Sequence, residues 1–184
     1  SYCLKNVGQY TVEYVWSAHP SFAVEAGDRV ILPDSVIEVS VEDSHRLRLG
    51  GRGTKHSWPY TAVADRQCVD LSRAGDLRDD VADKLFTAAP KEGWVALQRM
   101  RIGRLIEMRF DSRQAPYLGI WLSYGGWPAG RALRQQCVAL EPCTAPTDSL
   151  AEAIKRGCAR KLAPWGVDQW EIAIEINSTI EKTE

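Results

Sequence analysis

The feature that most limits what this chain can fold into is a series of short apolar runs. They return about every ten residues and are rich in Val, Ile, Tyr and Trp. "YTVEYVW", "DRVILP" and "SVIEVSVED" come first. "KLFTAA", "GWVALQRMRIG", "GRLIEMRFD", "YLGIWLSYG", "LRQQCVALEP" and "WEIAIEI" follow. Gly, Pro and Asp bound them. Runs this short cannot be stable helices, but they suit strands joined by tight connections. "MRIGR" predicts a hairpin turn at Ile102 and Gly103, between "WVALQRM" and "LIEMRF". The expected fold class is all-β, a sandwich or barrel.

One segment carries helix punctuation. In "TDSLAEAIKRG" a short helix is expected near residues 149–156. Asp148 is its N-cap, Glu152 lies in its first turns, Lys155 and Arg156 close it, and Gly157 ends it. Leu150 and Ile154 would face the body. "DLRDDVADKLF" can hold a helical turn. Residues Ser44 to Tyr60, glycine-rich and basic, read as a loop. There Arg46, Arg48, Arg52 and Lys55 are either solvated or able to hold a phosphate. No repeat or linker divides the 184 residues, so residues 1–184 are expected to form a single domain.

Composition excludes some functions. The net charge is −1, which gives no electrostatic reason to bind nucleic acid or an anionic membrane. No run approaches the roughly 18 apolar residues of a membrane span. The five cysteines, Cys3, Cys68, Cys137, Cys143 and Cys158, have no metal-type pairing and are expected as free thiols in a reducing cytoplasm. The seven tryptophans suit a wall that stacks on a flat ligand, although packing alone also accounts for them.

Three ionisable residues stand out. His19 follows the apolar run of "VWSAHPSF" and precedes Pro20. It is either a buried structural histidine or a general acid. Glu141 ends the strand of "ALEPCTAPTDSLAEA", as a gatekeeper, a solvated charge or a base. Asp83 enters the strand of "ADKLF", as a turn-former or a functional carboxylate.

Taken together these segments resemble a family. "LKNVGQYTVEYVWSAHPSF" is similar to the N…W-x-x-H-P-x-F segment of aldose 1-epimerases, the galactose mutarotase-like sugar enzymes. "WPYTAVADRQCVDLS", "ADKLF", "EGWVAL", "PYLGIWLSYGGWP", "ALEPCTAPTDSLAEA" and "KLAPWGVDQWEIAIEI" follow in the family's order. The resemblance implies a galactose mutarotase-like β-sandwich with a sugar cleft on a concave face. It implies His19 as the acid that protonates the ring oxygen and Glu141 as the base at the anomeric hydroxyl. Asp83 would contact a sugar hydroxyl. Trp16, Trp121 and Trp127 would wall the cleft.

The chemistry agrees with that assignment. Mutarotation opens a hemiacetal, turns the C1 aldehyde and closes it on the other face. One base and one acid suffice, with no metal and no organic cofactor. Each positioned group contributes about 10²–10⁴-fold, and histidine titrates near neutrality.

The resemblance covers the family's C-terminal two-thirds. The N-terminal strands that would bring a further arginine and histidine to the cleft have no counterpart here. The chain opens on Ser1, which implies processing or a longer product. Open sheet edges would then favour a homodimer or a covering segment from outside this sequence. Three functions follow: an epimerase on a monosaccharide or sugar phosphate, a non-catalytic carbohydrate-binding module, or a structural sandwich. A lyase or glycosidase ranks lower, because a glycosidase wants two carboxylates and the best pair here is a carboxylate and a histidine.

Overall fold

The computed structural model describes residues 1–63, 67–87 and 90–178. The strands run in chain order as β1 (Tyr2–Lys5), β2 (Val12–Tyr14), β3 (Ser21–Ala23), β4 (Arg29–Ile31), β5 (Glu38–Ser44) and β6 (Lys55–Ser57). Then come β7 (Tyr60–Ala62), β8 (Cys68–Asp70), β9 (Val81–Thr87), β10 (Trp94–Arg99), β11 (Arg104–Phe110) and β12 (Tyr117–Tyr124). The last are β13 (Gln136–Cys143), β14 (Arg160–Leu162), β15 (Val167–Trp170) and β16 (Ile172–Ser178), with helix α1 (Leu150–Lys155) after β13.

A six-stranded sheet has the order β3-β13-β12-β9-β5-β6, and a four-stranded sheet has the order β16-β11-β10-β4. Strands β1-β15, β14-β2 and β7-β8 form three small pairs. All these ladders are antiparallel. The two large sheets share one core. Val41, Leu85, Leu118, Ile120, Leu122, Val138 and Leu140 of the first pack in one cluster with Val30, Val95, Leu97 and Met108 of the second. The protein is therefore the all-β sandwich that the spacing of apolar runs predicts.

The alternation of side chains across the six-stranded sheet sets up the site. In β12, Leu118, Ile120 and Leu122 face the core, so Gly119, Trp121 and Ser123 face the other way. Register then aligns two rows on that outer face. Phe86, Gly119 and Glu141 are cross-strand neighbours in one, and Lys84, Trp121 and Ala139 in the next. The outer face is itself covered at its centre. Lys84, Phe86, Ala139 and Glu141 are all buried.

Three local expectations need correction. Helix α1 is capped by Ser149, whose side chain accepts from the Glu152 amide, and not by Asp148. Leu150 and Ile154 are largely exposed, and Ala153 is the helix residue that is buried, because α1 rests only lightly on β2. The stretch from Ser44 to Tyr60 is not one loop. It holds a 3₁₀ turn at His45–Leu47 and strand β6, which adds to the edge of β5. The hairpin at Ile102 and Gly103 joins β10 to β11, with Gly103 at φ 57°. The helical turn near Asp79 is a 3₁₀ turn at Leu77–Asp79 with a capping box from Asp76. The "TAA" end of "KLFTAA" lies partly outside the described residues.

Candidate functional site

The site is built where the segment before β3 runs beside β13. Ser17 bridges Cys143, and β3 pairs Ser21 with Ala139. The Ala18 amide donates to the Pro142 carbonyl (3.1 Å), and the Thr144 amide to that of Trp16 (2.9 Å). This antiparallel register sets His19 opposite Glu141. Pro20 has no N–H, so the ladder is interrupted there, and a residue before proline favours extended backbone. The His-Pro pair therefore holds the imidazole out over the sheet while its neighbours fix its position along the strand.

The structure brings His19 and Glu141 together. His19 Nε2 lies 3.3 Å from Glu141 Oε1. The two side chains differ sharply in exposure: 57% for His19 and 1% for Glu141. The second imidazole nitrogen, Nδ1, is 3.2 Å from Ser21 Oγ. Glu141 Oε2 accepts from Lys84 Nζ, and Ser17 Oγ lies 3.3 Å from it. Lys84 also pairs with Asp148 at 3.4 Å and sits 5.2 Å from the centre of the Phe86 ring. Oε1 is buried and has no hydrogen-bond donor, since the His19 approach is off the line of a hydrogen bond. A buried carboxylate oxygen without a donor is costly unless a partner arrives.

Gly119 makes room for this carboxylate. A Cβ there would stand 3.2 Å from Glu141 Cβ and 3.1 Å from the Phe86 ring. A pocket of about 90 Å³ adjoins the pair, walled by Trp16, Ser17, Phe86, Cys143, Thr147 and Asp148. It is smaller than the roughly 300–1,000 Å³ of typical small-molecule sites. The loop that carries Asp148 is anchored underneath. Thr147 Oγ1 donates to Glu42 Oε1 at 3.0 Å, and the Asp148 amide lies 3.4 Å from the same oxygen. Burial pushes the Cys143 thiol up to about 12, so it stands protonated in the wall and is a poor nucleophile.

Of the other expected site residues, Asp83 lies apart. Asp83 is fully buried on the core face of β9, the face opposite Glu141. There it accepts from Ser44 Oγ at 2.6 Å and pairs with the Arg48 guanidinium. It stands where no sugar on the outer face could touch it. Its neighbour Lys84 points into the site, together with Asp148 and Ser17. The sequence assigned none of the three to the site, Asp148 being read as a helix cap. The signal was the alternation itself: if Leu85 is core, Asp83 shares its face and Lys84 does not.

Trp121 is the cross-strand neighbour of Lys84 on the outer face, with Trp127 edge-on at 6.2 Å. Trp16 packs edge-on against Tyr2 (4.9 Å) and Trp170 (4.7 Å) while lining the small pocket. The basic cluster is dispersed. Arg46 pairs with Asp80, Arg48 with Asp83, Arg52 with Glu42 and Lys55 with Glu38. His56 is tied to Thr61 Oγ1 and the Leu49 carbonyl, both at 2.7 Å, in a structural role. The five cysteines are free thiols. Among the described residues no group of His, Cys, Asp and Glu is placed to hold a metal ion. No helix there is long and apolar enough to cross a membrane.

No family model matches this sequence. No curated protein matches it either. Solved structures do. A protein from Klebsiella pneumoniae provisionally named an aldose 1-epimerase superposes at TM-score 0.65 with 16% identity over 96% of this chain and 42% of its own. One provisionally so named from Escherichia coli K12 gives 0.64 with 18% identity over 96% and 54%. A galactose mutarotase related enzyme from Lactobacillus acidophilus gives 0.60 with 16% identity over 99% and 58%. This chain thus spans about half the length of the structures it matches, less than the two-thirds implied by the sequence resemblance. At such identity the likeness speaks to architecture alone: the chain has the galactose mutarotase-like sandwich fold.

Proposed function

We propose that this chain carries the acid/base pair of an isomerase that exchanges the anomers of a reducing sugar. The observation that carries the reading is the buried Glu141 Oε1, without a donor, 3.3 Å from an exposed imidazole. An anomeric hydroxyl is the kind of donor that this oxygen lacks. Lys84 and Ser17 hold the other oxygen, so the carboxylate is oriented with Oε1 left to accept.

In the proposed reaction Glu141 takes the O1 proton. The O1–H electrons form the C1=O1 bond, the C1–O5 bond breaks, and O5 takes a proton from His19. The aldehyde turns about C1–C2. Closure runs the same steps backwards, with His19 removing the O5 proton and Glu141 returning one to O1. The two groups touch in the free site, so the sugar must enter between them. His19 is the one that moves, being exposed and held on one side by Ser21 alone. The chemistry calls for neither metal nor organic cofactor.

The test is NMR saturation transfer between the α and β anomers of glucose and galactose. Wild type is expected to exceed the buffer rate. His19→Gln and Glu141→Gln should each fall by about 10²–10⁴-fold, or to background. A folded wild type at the buffer rate overturns the reading. The half-exposed Trp127 beside Trp121 favours a second reading, a carbohydrate-binding module without turnover. Sugar-induced shifts at Trp121 and His19 without anomer exchange would establish that reading instead.

A further inference from the structure

A second concave site lies at the other end of the six-stranded sheet. It has a volume of about 340 Å³ and is bounded by His45, Arg46, Asp80, Gly125, Arg131 and Arg134. We propose that it binds the phosphoryl group of a phosphorylated reducing sugar. The proposal rests on the sugar-isomerase reading for the sugar, and on this pocket alone for the phosphate.

The charge is lopsided. One carboxylate, Asp80, takes His45 Nε2 at 3.6 Å, an Arg46 guanidinium nitrogen at 3.0 Å and an Arg134 nitrogen at 3.5 Å. Arg131 makes no ion pair among the described residues. Three arginines and a histidine therefore line a pocket that holds a single carboxylate. Stability does not explain the grouping. Pairs this exposed contribute at most about 1 kcal/mol each, and gathering cations adds repulsion between them. A tetrahedral dianion relieves that repulsion and can take paired guanidinium bonds.

The backbone is also specialised here. Arg46 (φ 53°), Leu47 (φ 56°) and Asp80 (φ 57°) all adopt the left-handed region that L side chains avoid, and two of the three line the pocket. Such residues cluster at binding sites. At the pocket wall Gly125 has φ 80°, and a Cβ there would fall 1.9 Å from the Leu77 carbonyl oxygen.

The pocket and the acid/base pair are served by the same strands. Asp80 stands four residues before Lys84 on the same stretch of chain, about 13 Å when extended. Trp121 is Lys84's cross-strand neighbour, and its indole Nε1 reaches toward Gln135 Oε1 at 3.5 Å, next to Arg134. A sugar with its anomeric end on Glu141 would run past Trp121 toward these arginines.

The test is a ¹H–¹⁵N titration of wild type and the double variant Arg131→Gln/Arg134→Gln. The probes are inorganic phosphate, a neutral hexose, a hexose 6-phosphate and a reducing disaccharide phosphorylated on its non-reducing ring. Phosphate is expected to shift amides at 45–46 and 129–134, and the double variant to bind it about tenfold more weakly or less. One of the sugar phosphates should bind more tightly than either phosphate or hexose. Anomer exchange of neutral hexoses should be unchanged in the double variant, which leaves the acid/base pair intact. The proposal fails if phosphate shifts no pocket amide, or if the double variant binds it equally well. It also fails if phosphate binds but neither sugar phosphate gains affinity, which would make this a free-anion site. Pocket binding with no exchange of any sugar would overturn the isomerase reading and leave the phosphate assignment standing.

Discussion

Replacing Lys84 by Met tests the heart of the site without assuming any reaction. The ammonium is almost fully buried, and it is the cation that neutralises Glu141, whose side chain is 1% exposed. Asp148, the other partner, is 54% exposed and can turn to water. In Lys84→Met the stem packs much as before against Phe86, but Glu141 keeps its charge in a closed space with only Ser17 and His19 nearby. Removing one member of a buried pair costs about 3–5 kcal/mol. For a domain of this size each kcal/mol moves Tm by roughly 2–4 °C, so Tm should fall by about 6–20 °C. The second arm is Lys84→Met/Glu141→Gln. With both charges gone, most of the loss should return, because a neutral replacement of a buried pair is often close to neutral in stability. Thermal melts and urea unfolding of the wild type, the two single variants and the double variant give the coupling energy directly. A Lys84→Met protein within 1 kcal/mol of wild type would refute the reasoning. So would a double variant whose loss is the sum of the singles.

Other outcomes follow from the same geometry. Gly119→Ala places a methyl 3.3 Å from Glu141 Oε2 and 3.1 Å from the Phe86 ring, so it should cost about 1–3 kcal/mol and slow anomer exchange, read by melting and saturation transfer. Asp83→Ala strands the Arg48 guanidinium and should cost about 3–5 kcal/mol in denaturation while leaving sugar affinity unchanged in any variant that still folds. Burial and the Asp168 carboxylate push Tyr14 up to about 12, against an ordinary value near 10. The folded state thus holds that proton more tightly than the unfolded chain. The stability this confers is complete below pH 10 and is lost as pH rises toward 12, which an ultraviolet phenolate titration paired with unfolding curves will report. The exposed Cys3 and Cys68 should react at once with a thiol reagent, whereas buried Cys143 should react only on unfolding.

Much of this molecule was legible from pattern. Strands β10 to β13 follow the apolar runs because each run alternates against one shared core. The pairing of His19 with Glu141 came from the family resemblance of the two proline-flanked segments, since each residue alone also read as structural or solvated. Three things were not legible, each for a physical reason. β6 is a polar Lys-His-Ser segment, made a strand by pairing with β5 and not by its own propensity. The helix cap fell to Ser149 because its neighbour Asp148 is drawn toward Lys84, while the Asp148 amide turns to Glu42. Asp83 of "ADKLF" read as a turn-former or a functional carboxylate, and the family resemblance put it at a sugar hydroxyl. Its place in the alternation with Leu85 puts it in the core, and the basic residue beside it is the one that meets Glu141.

The adjacency of Asp83 and Lys84 has a further consequence for how the sheet assembles. Strand β9 lies between β12 and β5, is buried on both faces and carries opposite charges on successive residues. A slip of one residue in its pairing would turn every side chain to the other face. Lys84 would then enter the core toward Arg48, and Asp83 would turn toward Glu141. Both faces would hold buried like charges with no counter-ion, at several kcal/mol for each unpaired group. An apolar strand could tolerate that error, because both its faces are greasy alike. Here the charges act as an address, and β9 can be delivered to its place in the sheet in only one alignment.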